Sequence, residues 1–161
     1  MVKQRMIVNV SDAKVSDSTE DLLLTHSLGS CIGVCLYDPA QHVGGMLHYQ
    51  LPDSKLDLGK ARDRPFMFAD TGMKLLVEAL TSMGADRRRL HVKVAGGAVM
   101  NNGPNGFDIG KRNHLAIRRI AWQERLFIDA EDVGGSSPRN LYLDMENGAV
   151  TVKSNGLDKT L

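Results

Sequence analysis

Two side chains suited to nucleophilic catalysis lie seventeen residues apart in this chain. Cys31 closes the run Thr25-His26-Ser27-Leu28-Gly29-Ser30-Cys31, and His48 closes Gly44-Gly45-Met46-Leu47-His48. A thiol attacks as its thiolate, and an imidazole within reach can take the proton. Between the two lie an apolar run, Ile32 to Tyr37, and a turn signal at Asp38-Pro39. The pattern reads as strand, turn, strand. A hairpin symmetric about the Pro39–Ala40 peptide places Cys31 directly opposite His48, and opposed residues have Cβ atoms about 4.5–5.5 Å apart. That expectation depends on the turn. A one-residue change there, or a bulge at Gly44-Gly45, alters the register and turns a side chain to the other face.

Each of these residues also has a plainer reading. A lone cysteine in an apolar strand is ordinarily core. Cys31, however, follows Gly29-Ser30 at the start of its strand, where a tight turn can aim successive backbone N–H groups at one oxyanion. Gly29, Ser30 and Ser27 are therefore candidates for the oxyanion or substrate-adjacent positions. Cys35 lies deep in the strand and reads as core. A strand-edge histidine is commonly a satisfied polar residue; the opposition to Cys31 is what favours His48 as a base. His26, His42, His91 and His114 have no such partner and read as structural or surface residues. A Cys–His dyad needs a third group to orient the ring. The Thr25 hydroxyl is a candidate, with Ser27 and Ser30 competing.

Rival chemistries find less support. Cys31, Cys35, His42 and His48 carry metal-ligand atoms, but their spacing matches none of the usual zinc patterns, so no metal is expected. The loop Gly96-Gly97-Ala98-Val99-Met100-Asn101-Asn102-Gly103 follows an expected strand. It spells neither G-x-G-x-x-G nor a P-loop, and reads as a flexible or substrate-facing loop. No cofactor is expected. Arg87-Arg88-Arg89 reads as a solvated connector.

Composition bounds the class. At 161 residues, 42% hydrophobic and 24% charged, the chain suits one soluble globular domain over 1–161. A net charge of +1 gives no electrostatic footprint for nucleic acid. No stretch approaches the roughly 20 apolar residues of a membrane span, and the N-terminus lacks a secretory pattern. Cys31 and Cys35 on one strand would stand about 13 Å apart, too far for an unstrained disulfide. Reduced thiols suit the cytoplasm.

The elements that must position the dyad follow from periodicity. Strands are expected at Met6–Val10, from Leu22 to the Gly29 turn, at Ile32–Tyr37, Met46–Leu51, Leu90–Ala95 and Leu126–Ile128. A final pair, Leu141–Met145 and Ala149–Lys153, flanks Asn147-Gly148. Helices are expected within Phe66–Met83, stopped by Gly84, and at Asn113–Arg125. Ser11–Glu20 reads as a polar stretch, Lys55–Arg64 and Gly96–Gly110 as loops, Gly134-Gly135 as a turn, and residues 154–161 as a frayed polar tail. The fold class is α/β in the α+β sense, with layered β-sheets flanked by helices.

At these residues the chain resembles the CheD family, the chemoreceptor glutamine deamidases of bacterial and archaeal chemotaxis. Leu28-Gly29-Ser30-Cys31 with Val34-Cys35-Leu36-Tyr37-Asp38 is similar to the family's nucleophile strand. Gly44-Gly45-Met46-Leu47-His48 with Leu51-Pro52 is similar to its histidine segment. Lys93-Val94-Ala95-Gly96-Gly97-Ala98-Val99-Met100, Ile109-Gly110-Lys111-Arg112-Asn113 and Asp132-Val133-Gly134-Gly135 resemble its later signatures. The resemblance implies Cys31 as nucleophile, His48 as base and Thr25 as third member, on a fold related to bacterial toxin-type cysteine deamidases. It implies protein-glutamine glutaminase activity on methyl-accepting receptors, at their cytoplasmic helical bundle. A regulatory module docking the phosphatase CheC, with catalysis secondary, is the alternative; an amine-transferring, transglutaminase-like enzyme is a third reading. One departure stands out: Ser136-Ser137-Pro138-Arg139-Asn140 follows Gly134-Gly135 where a Gly-Arg is expected.

Overall fold

A strand buried on both faces must be covered from both sides, and the run Ile32–Tyr37 sets the architecture accordingly. In the computed structural model, which describes residues 2–99 and 108–161, this run becomes β4 (Ile32–Asp38), buried throughout. The other strands are β1 (Gln4–Ile7), β2 (Asp12–Ser16), β3 (Asp21–Leu28), β5 (Val43–Tyr49), β6 (His91–Gly96), β7 (Ile128–Val133), β8 (Arg139–Asp144), β9 (Val150–Ser154) and β10 (Leu157–Thr160). They form two five-stranded mixed sheets, ordered β1-β3-β8-β9-β10 and β2-β5-β4-β6-β7. The helices are α1 (Leu58–Asp63), α2 (Ala69–Ser82) and α3 (Ile109–Gln123). Among the described residues no helix is long and apolar enough to cross a membrane.

Alternation along β4 divides the interior. Ile32, Val34 and Leu36 join a core with Met73, Leu76 and Leu80 of α2 and Ile117 and Ile120 of α3. Cys35 and Tyr37 face the other way, against Leu23 and Leu28 of β3, Leu141 and Leu143 of β8, and Val150 and Val152 of β9. The layers run sheet, sheet, helices, which is the layered α/β class expected. Each fully buried Leu, Ile or Val contributes roughly 1.5–3 kcal/mol, so both interfaces are strongly specified.

The hairpin register departs from the expectation. Ile32 pairs with Tyr49 and Gly33 with His48, so Cys31 is not directly opposite His48. The cause is the turn. Asp38 pairs with Val43, leaving a four-residue loop centred on Ala40–Gln41. The buried Asp38 carboxylate organises that loop, accepting from Ala40 N at 2.9 Å and Gln41 N at 3.4 Å. Arg89 grips the same carboxylate at 3.0 and 2.9 Å, so the arginine run is not merely a solvated connector. The pairing slips by two positions, an even number. Side-chain parity is kept, and Cys31 and His48 stay on the face that meets the first sheet.

Other differences have local causes. Ser11–Glu20 contains β2, an edge strand whose Asp12, Lys14 and Ser16 hide the alternation of Ala13 and Val15, which pack on the helical-side core. Lys55–Arg64 holds a 3-10 turn (Ser54–Leu56) and α1, the latter capped by Asp57 accepting from Lys60 N. α3 begins at Ile109, four residues before the expected start, because Asp108 caps it by accepting from Lys111 N at 3.0 Å. The acidic β7 runs from Ile128 to Val133 rather than over Leu126–Ile128. The tail is not frayed: a second Asn-Gly, Asn155-Gly156, turns the chain into β10, which pairs with β9. Its residues are exposed on both sides, so no periodicity marked it. The Gly96–Gly110 loop lies largely in 100–107, outside the described residues.

Gly33 deserves its residue type by close approach. A Cβ there would come within 2.7 Å of a Leu141 methyl and 2.9 Å of a Leu28 methyl. Gly33→Ala is expected to destabilise by about 1–3 kcal/mol through overpacking. Denaturant titration would read this as a lower midpoint at unchanged slope, and an unchanged midpoint would refute the packing argument.

Candidate active site

The site lies where the two sheets face each other. Thr25 on β3 and His48 on β5 are both buried, and their side chains meet with Thr25 Oγ1 2.7 Å from His48 Nδ1. The proton positions follow from the partners. Thr25 Oγ1 is also 2.7 Å from the Val8 carbonyl oxygen, which can only accept. The hydroxyl therefore donates to Val8, and Nδ1–H donates to the hydroxyl. That tautomer leaves Nε2 as the bare lone pair of the ring. Nε2 is buried and makes no hydrogen bond among the described residues. Burial pushes the imidazole down to about 4, against a smaller upward pull from the Asp12 carboxylate. His48 is neutral at ordinary pH.

Cys31 stands immediately before β4, half-buried, on the inter-sheet face that Cys35 also joins further along the strand. It lies two positions beyond Gly33, which directly opposes His48. This makes Cys31 and His48 diagonal neighbours, a relation that long side chains can bridge. Burial pushes the thiol above the ordinary cysteine value, partly offset by the nearby backbone N–H dipole of Cys31 itself. The resting pair is thus neutral thiol and neutral imidazole. Sγ makes no hydrogen bond with Nε2 in this structure, and such contacts commonly tighten only when substrate binds. Cys35 is wholly buried and pushed up to about 12, consistent with its reading as core. Both cysteines are free.

Backbone geometry shapes the approach to Cys31. Gly29 N donates to Ser27 O at 3.0 Å, and Ser27 adopts φ 58° at the irregularity in the β3–β8 pairing. Ser27 N donates to Asn140 Oδ1 of β8 at 2.9 Å. From the other side, Gly97 N donates to Cys31 O and Ala98 N to Gly29 O, both at 2.8 Å. The start of the glycine-rich loop is therefore a clamp on the turn that ends at Cys31 rather than a free loop. Gly96 permits it with φ +114°, since a Cβ there would collide with the Cys31 carbonyl oxygen. Arg139 braces the clamp by donating to Gly96 O at 3.1 Å and Gly134 O at 2.7 Å.

Thr25 and His48 thus meet between the sheets, and Cys31 lies on the same face of the second sheet, two residues beyond the position opposite His48, while Ser27, Gly29 and Ser30 form the turn leading into it. Of the three hydroxyls weighed as orienting group, Thr25's is the one on the ring. The remaining histidines lie elsewhere: His42 Nδ1 is 2.9 Å from the Tyr37 hydroxyl, His114 Nε2 is 3.0 Å from Glu131, and His26 and His91 are exposed. Two participants escaped the sequence reading. The Val8 carbonyl is a backbone atom with no side-chain signal. Asn113 donates from Nδ2 to Ser30 O at 2.9 Å and Gln50 O at 2.8 Å. Its signal was a polar residue on the apolar stripe of Ala116, Ile117 and Ile120.

Thr25→Val keeps the shape but removes the acceptor of Nδ1–H and the donor to Val8. A loss of about 1–3 kcal/mol in stability is expected, with a fall in turnover of roughly 10–100-fold as the ring loses its fixed tautomer. Stability and turnover measured on one preparation check both; full turnover would remove Thr25 from the site.

A thiol, an oriented imidazole with a free lone pair, and a hydroxyl fixing the tautomer are together the parts of a cysteine-dependent acyl-transfer site. Residues 50–154 match the family model described as CheD chemotactic sensory transduction. That match begins after Thr25, Cys31 and His48; near-full-length relatives span them. A probable chemoreceptor glutamine deamidase CheD of Solibacter usitatus is 46% identical over 158 residues, 98% of this chain and 94% of its own. A protein of the same description, CheD 1 of Syntrophus aciditrophicus, is 47% identical over 94% of each chain. The chemoreceptor glutamine deamidase CheD of Thermotoga maritima is 41% identical over 84% of this chain and 83% of its own. A solved Neisseria meningitidis protein of the DUF152 family model aligns with TM-score 0.42 at 11% identity, over 81% of this chain and 62% of that one. The chain belongs to the CheD family.

Proposed function

We propose that this protein is a chemoreceptor glutamine deamidase that hydrolyses a glutamine side-chain amide to glutamate and ammonia through a thioester on Cys31. The observation that carries the reading is the chain Val8 O, Thr25 hydroxyl, His48 ring, which leaves Nε2 unpartnered on the face that Cys31 shares. The descriptions of the relatives supply the substrate class.

The chemistry balances without a cofactor. His48 Nε2 takes the Cys31 proton, and the thiolate attacks the amide carbon of a receptor glutamine. The carbonyl oxygen becomes an oxyanion, with the Cys31 N–H beside the sulfur as a donor and the turn at Gly29-Ser30 shaping its pocket. The imidazolium protonates the nitrogen, the C–N bond breaks, and ammonia leaves a glutamyl thioester. Water, deprotonated by the same Nε2, attacks that thioester; the C–S bond breaks, and the proton returns to sulfur. Glutamate and free thiol remain. A neutral resting pair suits this route, because the base is available as a lone pair.

The test is incubation with the cytoplasmic helical fragment of a chemoreceptor, following ammonia and peptide masses. Ammonia stoichiometric with glutamine-to-glutamate conversion at defined positions is expected. Binding of the fragment without any conversion would overturn the enzyme reading and favour a regulatory module, for which the phosphatase CheC is the partner to try. Incorporation of a labelled amine in place of water would instead make the protein a transferase.

A further inference from the structure

Strand β4 and strand β5 stop sharing ladder hydrogen bonds just where the chemistry begins. Their last pair is Ile32 with Tyr49, and the next positions, Cys31 and Gln50, lie outside both strands. At that point the Ser30 and Gln50 carbonyls turn to the same place, and two acceptors cannot bond each other. The single nitrogen of a buried amide fills the gap: Asn113 Nδ2 donates to Ser30 O at 2.9 Å and to Gln50 O at 2.8 Å. We infer that Asn113 is a positioning residue for catalysis, holding Cys31 at the working distance from His48 by tying the carbonyls of Ser30 and Gln50 together across the open end of the hairpin. This rests on the reading of Cys31 as nucleophile.

The partners fix the amide orientation, because Oδ1 in the place of Nδ2 would set lone pairs against two carbonyl oxygens. The consequence is visible on its other side. Asn113 is fully buried, and its Oδ1 has no hydrogen-bond partner among the described residues. A buried acceptor without a partner is a cost that native interiors rarely carry, so a residue retained for packing alone would be poorly chosen here. An apolar side chain would fill the volume without that cost, yet it could not bridge two carbonyls. A lysine could donate, but it would bury a charge.

The bridge also reaches the base strand. The Tyr49 hydroxyl donates to the Asn113 carbonyl at 2.6 Å, and Tyr49 is the chain neighbour of His48. One residue of α3 thereby touches the turn before the nucleophile, the residue after Tyr49, and Tyr49 itself. Since Cys31 is a diagonal rather than a direct neighbour of His48, the angle at which the chain leaves β4 sets whether sulfur and Nε2 can meet. Misplacements of about 1 Å at such a pair can cost roughly 10²-fold in rate.

The experiment compares Asn113→Ala, Asn113→Ser and Ile117→Val in the full chain. Ile117→Val loosens α3 packing without touching the amide. Two readouts are taken: turnover on a chemoreceptor cytoplasmic fragment, and the pH profile of iodoacetamide alkylation followed on the Cys31 peptide. Asn113→Ala is expected to lower kcat by roughly 10–100-fold with KM little changed, and to move the alkylation midpoint. Asn113→Ser, which retains one donor, should fall between it and wild type; it carries the test if the alanine variant does not fold. Ile117→Val should lower the melting temperature while leaving kcat and the alkylation midpoint at wild-type values. A wild-type midpoint in both Asn113 variants overturns the inference, as does an equal shift in Ile117→Val. Absence of deamidation by wild type would count against the proposed function, while the alkylation profile would still decide the role of Asn113.

Discussion

Cys31→Ala releases no ammonia from a chemoreceptor fragment and unfolds within a few degrees of wild type: that is the expected result. The two halves have separate causes. Removing the sulfur removes the atom that forms the thioester, and the nearby groups cannot replace it. Thr25 Oγ1 is committed to Val8 and His48, and Cys35 is wholly buried and held as a thiol. A fall of at least 10³-fold in turnover is expected, equivalent to about 4 kcal/mol of lost transition-state stabilisation. Stability is spared because the turn is held by backbone groups. Gly97 N to Cys31 O, Ala98 N to Gly29 O and Asn113 Nδ2 to Ser30 O all survive the substitution. The half-buried sulfur contributes on the order of 1 kcal/mol by burial, a shift of about 2–4 °C for a chain of this length. Ammonia release retained by this variant would sink the assignment of Cys31, whatever its melting temperature.

His48→Gln is expected to lower turnover by roughly 10²–10⁴-fold, the usual contribution of a positioned general base. It also carries a signature in pH. Burial holds the imidazole at about 4 in the folded protein, whereas an unfolded chain titrates near 6.5. Between these values the unfolded state binds a proton that the native state does not, so stability falls as the pH falls. The contribution is fully present above about pH 7 and lost through the window from about 6.5 to 4. It amounts to roughly 3 kcal/mol, and His48→Gln should lack it. Urea titrations of both proteins at several pH values across that window measure the difference. The wild-type rate should likewise keep its acid limb near 4. The thiol, pushed above its ordinary value by burial, places no opposing limb below the alkaline range. An acid limb near 6.5, with parallel stability curves for the two proteins, would show that burial does not hold His48 neutral, and wild-type turnover in His48→Gln would remove it as the base.

Much of the site was legible because it rests on residue types. A cysteine after Gly-Ser at a strand start, a histidine seventeen residues on, and a threonine on the preceding strand are local facts of the chain. Strong strands and helices were legible for the same reason: Ile32–Tyr37 is apolar on both faces, and Phe68, Leu75, Leu76, Ala79, Leu80 and Met83 fall at helical spacing, although the buried face runs through Met73, Leu76, Val77 and Leu80 and leaves Leu75 exposed. Elements with mixed or polar faces were not. β2 and β10 lie at sheet edges, where one face or both meet water, so their strand character comes from pairing with β5 and β9 and not from apolar alternation.

The chain by itself named the candidate residues of the site and determined the parity of its strands, because residue type and a two-residue period need no distant partner. The register was decided by tertiary structure. Asp38, itself gripped by Arg89 from fifty-one residues away, sets a four-residue loop and moves Cys31 from directly opposite His48 to its diagonal. The tautomer was decided there too, by a carbonyl at Val8 that reaches Thr25 only because β1 lies along β3. So was the open end of the hairpin, where Asn113 of α3 supplies the donors the ladder no longer does. In each case the deciding group is a hydrogen-bond partner distant in sequence, and hydrogen bonds need direction as well as proximity; the packed layers supply both.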